Sequence, residues 1–540
     1  MRDTFITLSL ALISAAGVSL AATTEEWRSR TIYQVFTDRF AQTDGSTTAK
    51  CDLAASSYCG GTWQGVINQL DYIQDMGFDA IMISPITECL KGNTSEGESY
   101  HGYWPKDLYT TNSNFGTSDD LLALSKALHK RSMYLMVDVV INDMGYYLNS
   151  AKSSTIDYSN FSPFDDEKYY HSYCVVEDWS NITQIQNCNI GDSKVALLDL
   201  DTESDAVINA MGTWVSGLVT NYSVDGLRID AAKHVNNAFL SEFVEAAGIF
   251  ATGEVYNGGA GSACVYQNYI PSVTNYPVYF AAIQAFTASN ITQLVDYISY
   301  VKSYCQDSTL LLSFGENHDL PRFASYTDDI ALAKNFLAFT LLADGIPIVY
   351  QGQEQHFDGA SSPYNREALW TSKYNSDAVL AKMIKTLLKM RNATIEYDAG
   401  YLTTQAYPIY NDGSVLVMRK GRENGQIVSV YSAQGSSGGS YNLSLATAFA
   451  PSVEVTEVLS CTTVNTSIYG QLTVEMSKGL PRIFVRTQNL NGTGLCGGIG
   501  DVAAQAASDA NDSGSSRISL PQESNVLYIF LLGVFAYWLI

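Results

Sequence analysis

The 540-residue chain is predicted to be an α/β protein built on a (β/α)8 TIM-type barrel, with a small domain inserted after the third strand and a C-terminal antiparallel β domain. Three observations predict this fold. First, short apolar runs alternate with helical patterns up to about residue 395. Second, a long irregular interval follows the third apolar run. Third, segments in which apolar and polar residues alternate follow the last apolar run. A chain of this length exceeds one ordinary domain.

The apolar runs are predicted to be parallel strands that are buried on both faces. They are Ile32–Phe36, Ala80–Ile86, Tyr134–Ile141, Gly226–Ile229, Phe250–Val255, Leu310–Phe314 and Ile346–Tyr350. Between them, apolar residues recur at helical spacing, as at Leu121, Leu124 and Leu128. Repeated β-then-α units of this number favour a closed barrel over residues 22–395 rather than an open sheet.

Two segments depart from the barrel pattern. Residues 144–198 are polar, aromatic and irregular, which predicts an inserted domain beside the active face of the barrel. Residues 396–496 alternate in short stretches with Gly/Ser turns, which predicts the antiparallel β domain. The Ser/Ala-rich residues 497–513 are predicted to form a stalk.

Both termini carry processing signals. Arg2 and the apolar stretch after it predict a signal peptide over residues 1–21, a buried first helix being the alternative. The apolar tail Val526–Ile540 is short of the roughly 20 residues that span a membrane. With the small residues before it, it predicts glycosylphosphatidylinositol (GPI) attachment at Ser513 or Gly514, with residues 514–540 as propeptide. The alternative, a tail-anchored protein, conflicts with the N-terminal signal. We therefore expect a secreted protein that is GPI-anchored to the outer face of the plasma membrane or held in the cell wall.

Composition narrows the function classes. The net charge of −24 disfavours nucleic-acid binding. Ten sequons fit a secretory route, although occupancy stays open; they are Asn93, Asn160, Asn181, Asn221, Asn290, Asn392, Asn442, Asn465, Asn491 and Asn511. Nine cysteines suggest disulfides with one cysteine left over. Pairing neighbours gives Cys51–Cys59, Cys174–Cys188, Cys264–Cys305 and Cys461–Cys496, and leaves Cys89 free. Sequence alone does not fix this connectivity.

Polar groups cluster where four barrel strands should end. They lie in the segments Asp138–Asp143, Asp225–His234, Gly253–Val255 and Phe314–Asp319. Arg228 and Asp230 are two apart on a strand and point to one face, where the cation can keep the carboxylate ionised. Each segment alone fits a structural ion-pair network as well as a catalytic site. Their occurrence together at successive strand ends favours catalysis.

These segments resemble those of the α-amylase family, glycoside hydrolase family 13, and most closely the secreted fungal α-amylases. The resemblance runs from about Glu26 to Cys496 and includes His101-Gly-Tyr103-Trp104, Leu198–Asp201 and Asn365-Arg366-Glu367. It implies a retaining enzyme that acts on α-linked glucan or maltooligosaccharides. Asp230 would be the nucleophile, Glu254 the general acid/base, and Asp319 the residue that holds the sugar ring distorted.

The resemblance also implies substrate contacts. His318, Tyr103 and His101 would line the sugar subsite next to the scissile bond, with Trp104 and Lys233 farther out. Further substrate-binding positions would be Arg228, His234, Arg366 and Asp143. The chain is expected to act as a monomer.

The family commonly binds a calcium ion between the barrel and the inserted domain. The matching positions are Asn142, Gln186, Asp199 and the backbone carbonyl of His234. Gln186 stands where the family usually has Glu, so one negative charge is lost and the affinity for Ca²⁺ should fall. The alternative is that Asn142 and Asp199 merely form hydrogen bonds at the domain junction.

Two departures from the family pattern concern the reaction. Asp143 replaces a His that contacts the sugar, and an ionised Asp can only accept hydrogen bonds. Ser362 replaces an Asp on the donor side.

Together with the predicted anchor, these two changes resemble the pattern of a fungal cell-wall subgroup whose members transfer α-1,4-glucan segments. The leading hypothesis is an anchored 4-α-glucanotransferase linked with cell-wall α-glucan, and the second is a tethered endo-acting α-amylase. The third, a wall protein that binds glucan without turnover, is disfavoured because all three carboxylates are present.

Overall fold

The computed structural model describes residues 22–149 and 153–497. The predicted signal peptide, the stalk beyond residue 497, Asn511, the attachment residues Ser513 and Gly514, and the propeptide lie outside the described residues. Within the described ranges, no helix has both the length and the apolar character needed to cross a membrane.

Eight parallel strands form one sheet in which neighbouring strands are consecutive along the chain, except that the first strand pairs with the last. In chain order, β1–β8 are Ile32–Val35, Ala80–Ile83, Tyr134–Val139, Gly226–Ile229, Phe250–Gly253, Ser272–Val273, Leu312–Phe314 and Ile346–Tyr350. A parallel bridge between Thr274 and Leu312 joins β6 to β7 and closes the ring. The predicted barrel is therefore confirmed.

The strands differ from the predicted runs in two ways. β6 has only two residues and begins with the buried Ser272, so it gives no apolar run to detect. Several strands end one to three residues before the apolar run does, as β2 does at Ile83. The apolar residues beyond the strand ends are buried within the loops that carry the site, Val255 being fully buried.

Helices follow most of the strands and cover the outside of the barrel. Their bounds are Thr24–Ser29, Thr37–Phe40, Trp63–Asn68, Leu70–Asp75, Ser118–His129, Asp205–Tyr222, Asn237–Ala247, Ala260–Cys264, Tyr276–Thr287, Ile291–Tyr304, Phe323–Tyr326, Ile330–Leu342 and Val379–Tyr397. In the helix Ser118–His129 the predicted face, Leu121, Leu124 and Leu128, is fully buried.

The inserted domain leaves the barrel after β3 on a two-stranded antiparallel ribbon, Asp143–Tyr147 with Val195–Asp199. It carries the helix Ile182–Asn187. A second ribbon, Thr87–Cys89 with Pro105–Thr111, rises after β2. Both ribbons stand at the carboxyl ends of the barrel strands, where the functional loops of such barrels lie.

The C-terminal domain has two antiparallel sheets packed around a separate core that includes Val417, Val430 and Val474. One sheet has six strands in the order Tyr407–Asn411, Val415–Lys420, Ile427–Ser432, Arg482–Arg486, Glu454–Glu457 and Thr462–Asn465. The other pairs Tyr441–Leu445 with Leu472–Met476. The predicted antiparallel β domain is thus confirmed.

All four predicted disulfides are present. Cys89 is free and buried, as expected. Of the nine sequon asparagines in the described residues, eight are exposed and Asn392 is partly buried, so the surface exposure that glycosylation requires is met at most of them.

Candidate active site

A cavity of about 490 Å³ opens at the carboxyl ends of the barrel strands. It has the size of a typical small-ligand site. Its walls contain ten of the residues singled out from the sequence: His101, Tyr103, Trp104, Asp230, Lys233, His234, Glu254, His318, Asp319 and Arg366. Four further lining residues were not predicted, namely Trp179, Ile190, Ala231 and Tyr256. The fold therefore brings the predicted carboxylates and sugar contacts into one cleft.

The register of the strands brings three carboxylates next to one cation, Arg228. Asp138 on β3 is the register partner of Arg228 on β4. Asp230 is the first residue after β4 and donates its N–H to Val139 O at 2.9 Å. Glu254 is the first residue after β5 and donates its N–H to a β4 carbonyl at 2.8 Å. Because parallel strands end at the same face, these side chains converge.

Arg228 is buried and contacts three carboxylates at once. Its Nη1 donates to both oxygens of Asp138 at 2.9 Å and to Asp230 Oδ1 at 2.6 Å. Its Nη2 lies 2.9 Å from Glu254 Oε2. One guanidinium therefore holds Asp230 and Glu254 side by side, while Asp138 fixes the guanidinium from behind.

The electrostatics of this cluster differ from the expectation that Arg228 keeps Asp230 ionised. Arg228 does lower the pKa of Asp230, but burial raises it more, and the neighbouring carboxylates add to the rise. Burial likewise raises the pKa of Asp138 to about 6. One positive charge does not neutralise three acids, so the cluster retains a proton more readily than isolated carboxylates do. A site that holds both a proton and a carboxylate can act as acid and as nucleophile.

Glu254 is fixed by two further donors. The Ala231 N–H donates to Oε2 at 3.2 Å, and the Tyr276 hydroxyl donates to Oε1 at 3.1 Å. Tyr276 in turn accepts from Asn317 Nδ2 at 3.1 Å. Burial raises the pKa of Tyr276 well above its usual range, so its hydroxyl stays a donor. Sequence analysis missed Tyr276 because it lies at the start of a barrel helix, 22 positions after Glu254.

Three aromatic rings form one wall of the cleft. Tyr103 lies parallel to His318 with ring centroids 5.1 Å apart, and to His101 at 5.8 Å. Burial lowers the pKa of both histidines, so both are neutral. Gln34 Nε2 donates to His318 Nδ1 at 3.0 Å, and the Tyr103 N–H donates to His101 Nδ1 at 3.0 Å. Each imidazole therefore carries its proton on Nε2 and can donate from there.

Asp319 is the most exposed of the three predicted catalytic carboxylates. Its side chain is 37 % exposed, against 16 % for Asp230 and 14 % for Glu254. Arg366 Nη2 lies 3.3 Å from Asp319 Oδ1, and His318 Nε2 lies 3.1 Å from Oδ2. Asp319 thus lines the cleft outside the Arg228 cluster, held by His318 and Arg366, where it can meet an incoming sugar.

A second cavity of about 280 Å³ adjoins the first and shares His101, Trp104 and Arg366 with it. Ser362, predicted on the donor side, lines this second cavity. Two segments flank it, one before the His101 motif and one in the inserted domain. Lys194 and Glu96 join these segments by an ion pair. The shared walls indicate one continuous groove for a chain of sugars.

Two exposed aromatic rings stand at the other end of the main cavity. Trp179 of the inserted domain is 58 % exposed, and Tyr256 is 53 % exposed. Trp179 contacts His234 edge-on at 5.9 Å, and Tyr256 packs on Tyr276 at 4.9 Å. Nothing in the irregular insertion singles out Trp179 from its sequence. Tyr256 could have been found because it lies two residues after Glu254.

Asp143 is buried and lies outside the cavity wall. It is 1 % exposed and begins the ribbon of the inserted domain. It is near enough for its charge to raise the pKa of Asp230, as expected of a further carboxylate beside the nucleophile. Burial raises the pKa of Asp143 to about 8, so it keeps a proton more readily than the ionised, accept-only Asp that the sequence suggested. Contact between Asp143 and the sugar stays a prediction.

The expected calcium positions contain oxygens that lack partners. Asn142 Oδ1 and Asp199 Oδ1 are buried, and neither has a hydrogen-bond partner within the described residues. His171 Nδ1 donates to the other oxygen of Asp199 at 2.7 Å and thereby orients it. Gln186 donates through Nε2 to a backbone carbonyl at 3.0 Å, which leaves its Oε1 available. Because bare buried oxygens are unfavourable unless a cation or donor meets them, these residues, together with the His234 carbonyl, fit a calcium site.

Comparisons with known proteins agree with this geometry. Residues 34–412 match the family model "Alpha amylase, catalytic domain", and residues 408–503 match "Alpha-amylase, domain C". The chain belongs to the α-amylase family. It is 46 % identical to Alpha-amylase 2 of Schwanniomyces occidentalis over 483 residues, covering 89 % of this chain and 94 % of that protein. It is 48 % identical to Alpha-amylase 1 of Lipomyces kononenkoae over 501 residues, covering 92 % and 80 %.

A solved structure from this family has the same fold. The α-amylase from Malbranchea cinnamomea superposes with a TM-score of 0.85 at 47 % identity, covering 88 % of this chain and all of that one. The resemblance predicted from the sequence is confirmed. As an α-amylase-family protein, the chain is an enzyme of glycoside hydrolase family 13.

Proposed function

We propose that this chain is a retaining enzyme acting on α-1,4-glucan bonds, with Asp230 as nucleophile and Glu254 as general acid/base. The observation that carries this proposal is the single guanidinium of Arg228 that holds both carboxylates. A retaining mechanism needs its two carboxylates close together, whereas an inverting one separates them to admit water. Asp319, which lines the same cleft, would stabilise the positive charge that develops on the sugar ring.

The chemistry follows from these positions. Asp230 attacks the anomeric carbon while Glu254 gives its proton to the glycosidic oxygen, so the carbon–oxygen bond breaks and the leaving sugar departs with that proton. In the second step, water or a sugar hydroxyl attacks the same carbon, gives its proton to Glu254 and releases Asp230. The Nε2–H group of His101 can donate to a hydroxyl of the sugar at the cleavage point, while that of His318 points to Asp319 Oδ2 and orients this carboxylate. A bound calcium ion would join the inserted domain to the barrel.

We further propose that a sugar hydroxyl resolves the intermediate more often than water does, which makes the enzyme a 4-α-glucanotransferase. Trp179 and Tyr256 support this because they stand at the Glu254 end of the cleft, where the leaving sugar departs and an acceptor enters. Exposed rings at that position can stack on an acceptor and displace water from the intermediate. Since Asp143 is buried, the two rings carry this proposal rather than the missing histidine.

Labelled maltoheptaose tests the proposal. The mature protein should form products longer than seven sugars, and Trp179→Ala or Tyr256→Ala should lower the ratio of long to short products severalfold. Tyr300→Ala, which removes a ring of similar exposure from an outer barrel helix, is the matched control. Only shorter products from the unaltered protein would refute transfer.

A hydrolytic function is the second candidate. The identity of 46–48 % to proteins named α-amylases favours it, since these relatives span most of the chain. An endo-acting α-amylase would give only shorter products in the same assay. A glucan-binding protein without turnover would give no products at all.

We propose that the enzyme works outside the cell, GPI-anchored at Ser513 or Gly514, and acts on α-glucan of a fungal cell wall. The N-terminal apolar stretch, the sequons and the C-terminal apolar tail support this location. Release of the enzyme from intact cells by a phosphatidylinositol-specific phospholipase tests it. Protein that stays cell-bound after that treatment but is freed by detergent would point to a membrane-spanning tail instead.

A further inference from the structure

Asp143 is a buried carboxylate that the proposed reaction does not use. It is 1 % exposed and lies outside the wall of the catalytic cavity. Within the described residues its carboxylate takes part in one hydrogen bond, a long one of 3.4 Å from Asn142 Nδ2 to Oδ2. The other oxygen, Oδ1, has no hydrogen-bond partner there. Burying a carboxylate with so few donors is costly, so this group requires a further partner.

The ribbon of the inserted domain places Asp143 beside the expected calcium ligands. Asp143 is the register partner of Asp199 on the opposite strand. Residues opposite each other in an antiparallel pair have Cβ atoms about 5 Å apart on the same face. Asn142 precedes Asp143 in the chain, and its amide contacts the Asp143 carboxylate. Asp143 is therefore adjacent to two of the residues that fit a calcium site.

Three buried side-chain oxygens in this group lack a partner among the residues that the structure describes. They are Asn142 Oδ1, Asp143 Oδ1 and Asp199 Oδ1. All three residues are 1 % exposed. Buried polar atoms are almost always partnered, so three neighbouring exceptions indicate one shared partner. A single water molecule cannot donate to all three oxygens, whereas Ca²⁺ accepts about six to eight oxygen ligands.

The charge of the ligand set also favours Asp143. Among the calcium positions expected from the sequence, only Asp199 carries a negative charge. The others are amide oxygens and a backbone carbonyl, namely Asn142, Gln186 and His234. One negative charge leaves half of the charge of Ca²⁺ unmatched, and the number of charged ligands tunes the affinity of such sites. An ionised Asp143 would supply the second negative charge.

We propose that Asp143 is a calcium ligand through Oδ1 and supplies the second negative charge of the site between the barrel and the inserted domain. Asp143 and Asp199 lie on opposite strands of the ribbon, so an ion held by both would join the two strands where the inserted domain leaves the barrel. This role differs from a contact with the sugar. It does not depend on whether water or a sugar resolves the intermediate.

Calcium titration of the full-length Asp143→Asn protein by calorimetry tests the proposal. Asn keeps the size of Asp but removes its charge, so the Kd for Ca²⁺ should rise about tenfold or more. The rise in Tm on adding calcium should shrink accordingly. Asp75→Asn makes the same change at an exposed residue that ends the helix Leu70–Asp75, and it should leave the Kd unchanged. Equal Kd values for Asp143→Asn and Asp75→Asn would overturn the proposal.

Relocating the charge gives a second test. In the Asp143→Asn protein, adding Gln186→Glu should recover most of the lost calcium affinity, because the site again has two negative charges. A gain from Gln186→Glu in the otherwise unaltered protein, without any gain in the Asp143→Asn protein, would show that the two positions do not act on one ion. That result would contradict the proposed role of Asp143.

A crystal structure of the unaltered protein with bound calcium tests the contact directly, even if Asp143→Asn does not fold. Asp143 Oδ1 should lie about 2.3–2.6 Å from the ion, the usual calcium–oxygen distance. An ion that contacts Asn142 and Asp199 but not Asp143 would refute the proposal. So would an Asp143→Asn protein with unchanged calcium affinity and a raised KM for maltoheptaose at saturating calcium, because that combination would assign Asp143 to the sugar instead.

Discussion

At Arg228 one guanidinium contacts three carboxylates, and this excess of negative over positive charge affects the pKa values of the acids around it. Asp138 takes two hydrogen bonds from Nη1 and is almost completely buried. Asp230 and Glu254 take one contact each and face the cleft. Burial raises the pKa of Asp230 against the pull of Arg228. A lysine at this position would offer one nitrogen where two are used, so Arg228 is suited to hold both carboxylates.

Replacing Glu254 by Gln removes the transferable proton and keeps the shape. The amide has one acceptor oxygen, so it cannot keep both the Tyr276 contact and the Arg228 and Ala231 contacts. We expect kcat on α-1,4-glucan to fall roughly 10²- to 10⁴-fold, the usual contribution of general acid–base catalysis. Stability should fall modestly, because a buried donor loses its acceptor. A substrate whose leaving group departs without protonation should lose much less rate in the first step. Glu245→Gln, at an exposed glutamate on the preceding barrel helix Asn237–Ala247, is the control. Unchanged product formation would disprove the assignment.

The residues of the site could be predicted from sequence to different extents. Asp230 follows an apolar run directly and Glu254 stands near the end of one, so their place at the strand ends could be predicted from the pattern. The resemblance then supplied their roles. Trp179 and Tyr276 gave no such signal, because aromatic residues in loops and helices are most often ordinary packing, whereas Tyr256 could have been found from its closeness to Glu254. Their contribution depends on which loops the barrel brings together.

At the scale of elements, the inserted domain helps to form the cleft through its two terminal strands and through the irregular segment between them. The ribbon Asp143–Tyr147 with Val195–Asp199 anchors it beside β3, and Trp179 reaches the cavity from within it. The position of the insertion could be predicted because β3 is followed by a long stretch without periodicity. The contacts of the insertion could not be predicted, because its irregular backbone is fixed by tertiary hydrogen bonds and by the Cys174–Cys188 disulfide. The two-residue β6 was missed for a related reason, because its place comes from the barrel closing around it.

The junction between the insertion and the barrel gives a prediction on calcium. Gln186→Glu should bind Ca²⁺ about tenfold more tightly because it restores a charged ligand. Without calcium the same change should destabilise the protein, since Glu at this position loses the 3.0 Å donation to a backbone carbonyl. The rise in Tm on adding calcium should therefore be larger than in the unaltered protein.

Calcium titration by calorimetry and thermal unfolding with and without a chelator measure both effects. Gln64→Glu, which adds the same charge on the distant helix Trp63–Asn68, is the control. If Gln186→Glu and Gln64→Glu respond equally to calcium, Gln186 does not take part in the site.

For the whole molecule, buried acids with raised pKa values make the folded protein less stable as the pH rises toward neutrality. Burial raises the pKa of Glu316 from 4.5 to about 7 and that of Asp138 from 3.8 to about 6. Burial also raises the pKa values of Asp230 and Glu354. The neutral histidines His101 and His318 act in the opposite direction, but only below the ordinary pKa of histidine, near 6.5.

The direction in which stability changes with pH follows from proton binding. Between the unfolded and folded pKa values, the folded protein holds a proton that the unfolded chain has released. Raising the pH through that range therefore favours unfolding. The stabilisation is fully present below the unfolded pKa and is lost as the pH rises through the folded pKa, so the contribution of Glu316 should be lost between about pH 4.5 and pH 7.

Glu316→Gln provides the test of this pH dependence. Glu316 is 3 % exposed and meets Arg322 Nη1 at 3.1 Å, and Gln preserves its size without a titrating proton. From pH 4.5 to pH 7, the Tm of Glu316→Gln should rise relative to that of the unaltered protein, whereas the curve for Glu245→Gln should stay parallel to it. The histidines affect all three proteins equally, and calorimetry in the presence of a chelator keeps calcium binding out of the comparison, because calcium ligands also ionise with rising pH. If the curves for Glu316→Gln and the unaltered protein stay parallel, Glu316 holds no extra proton in the folded state.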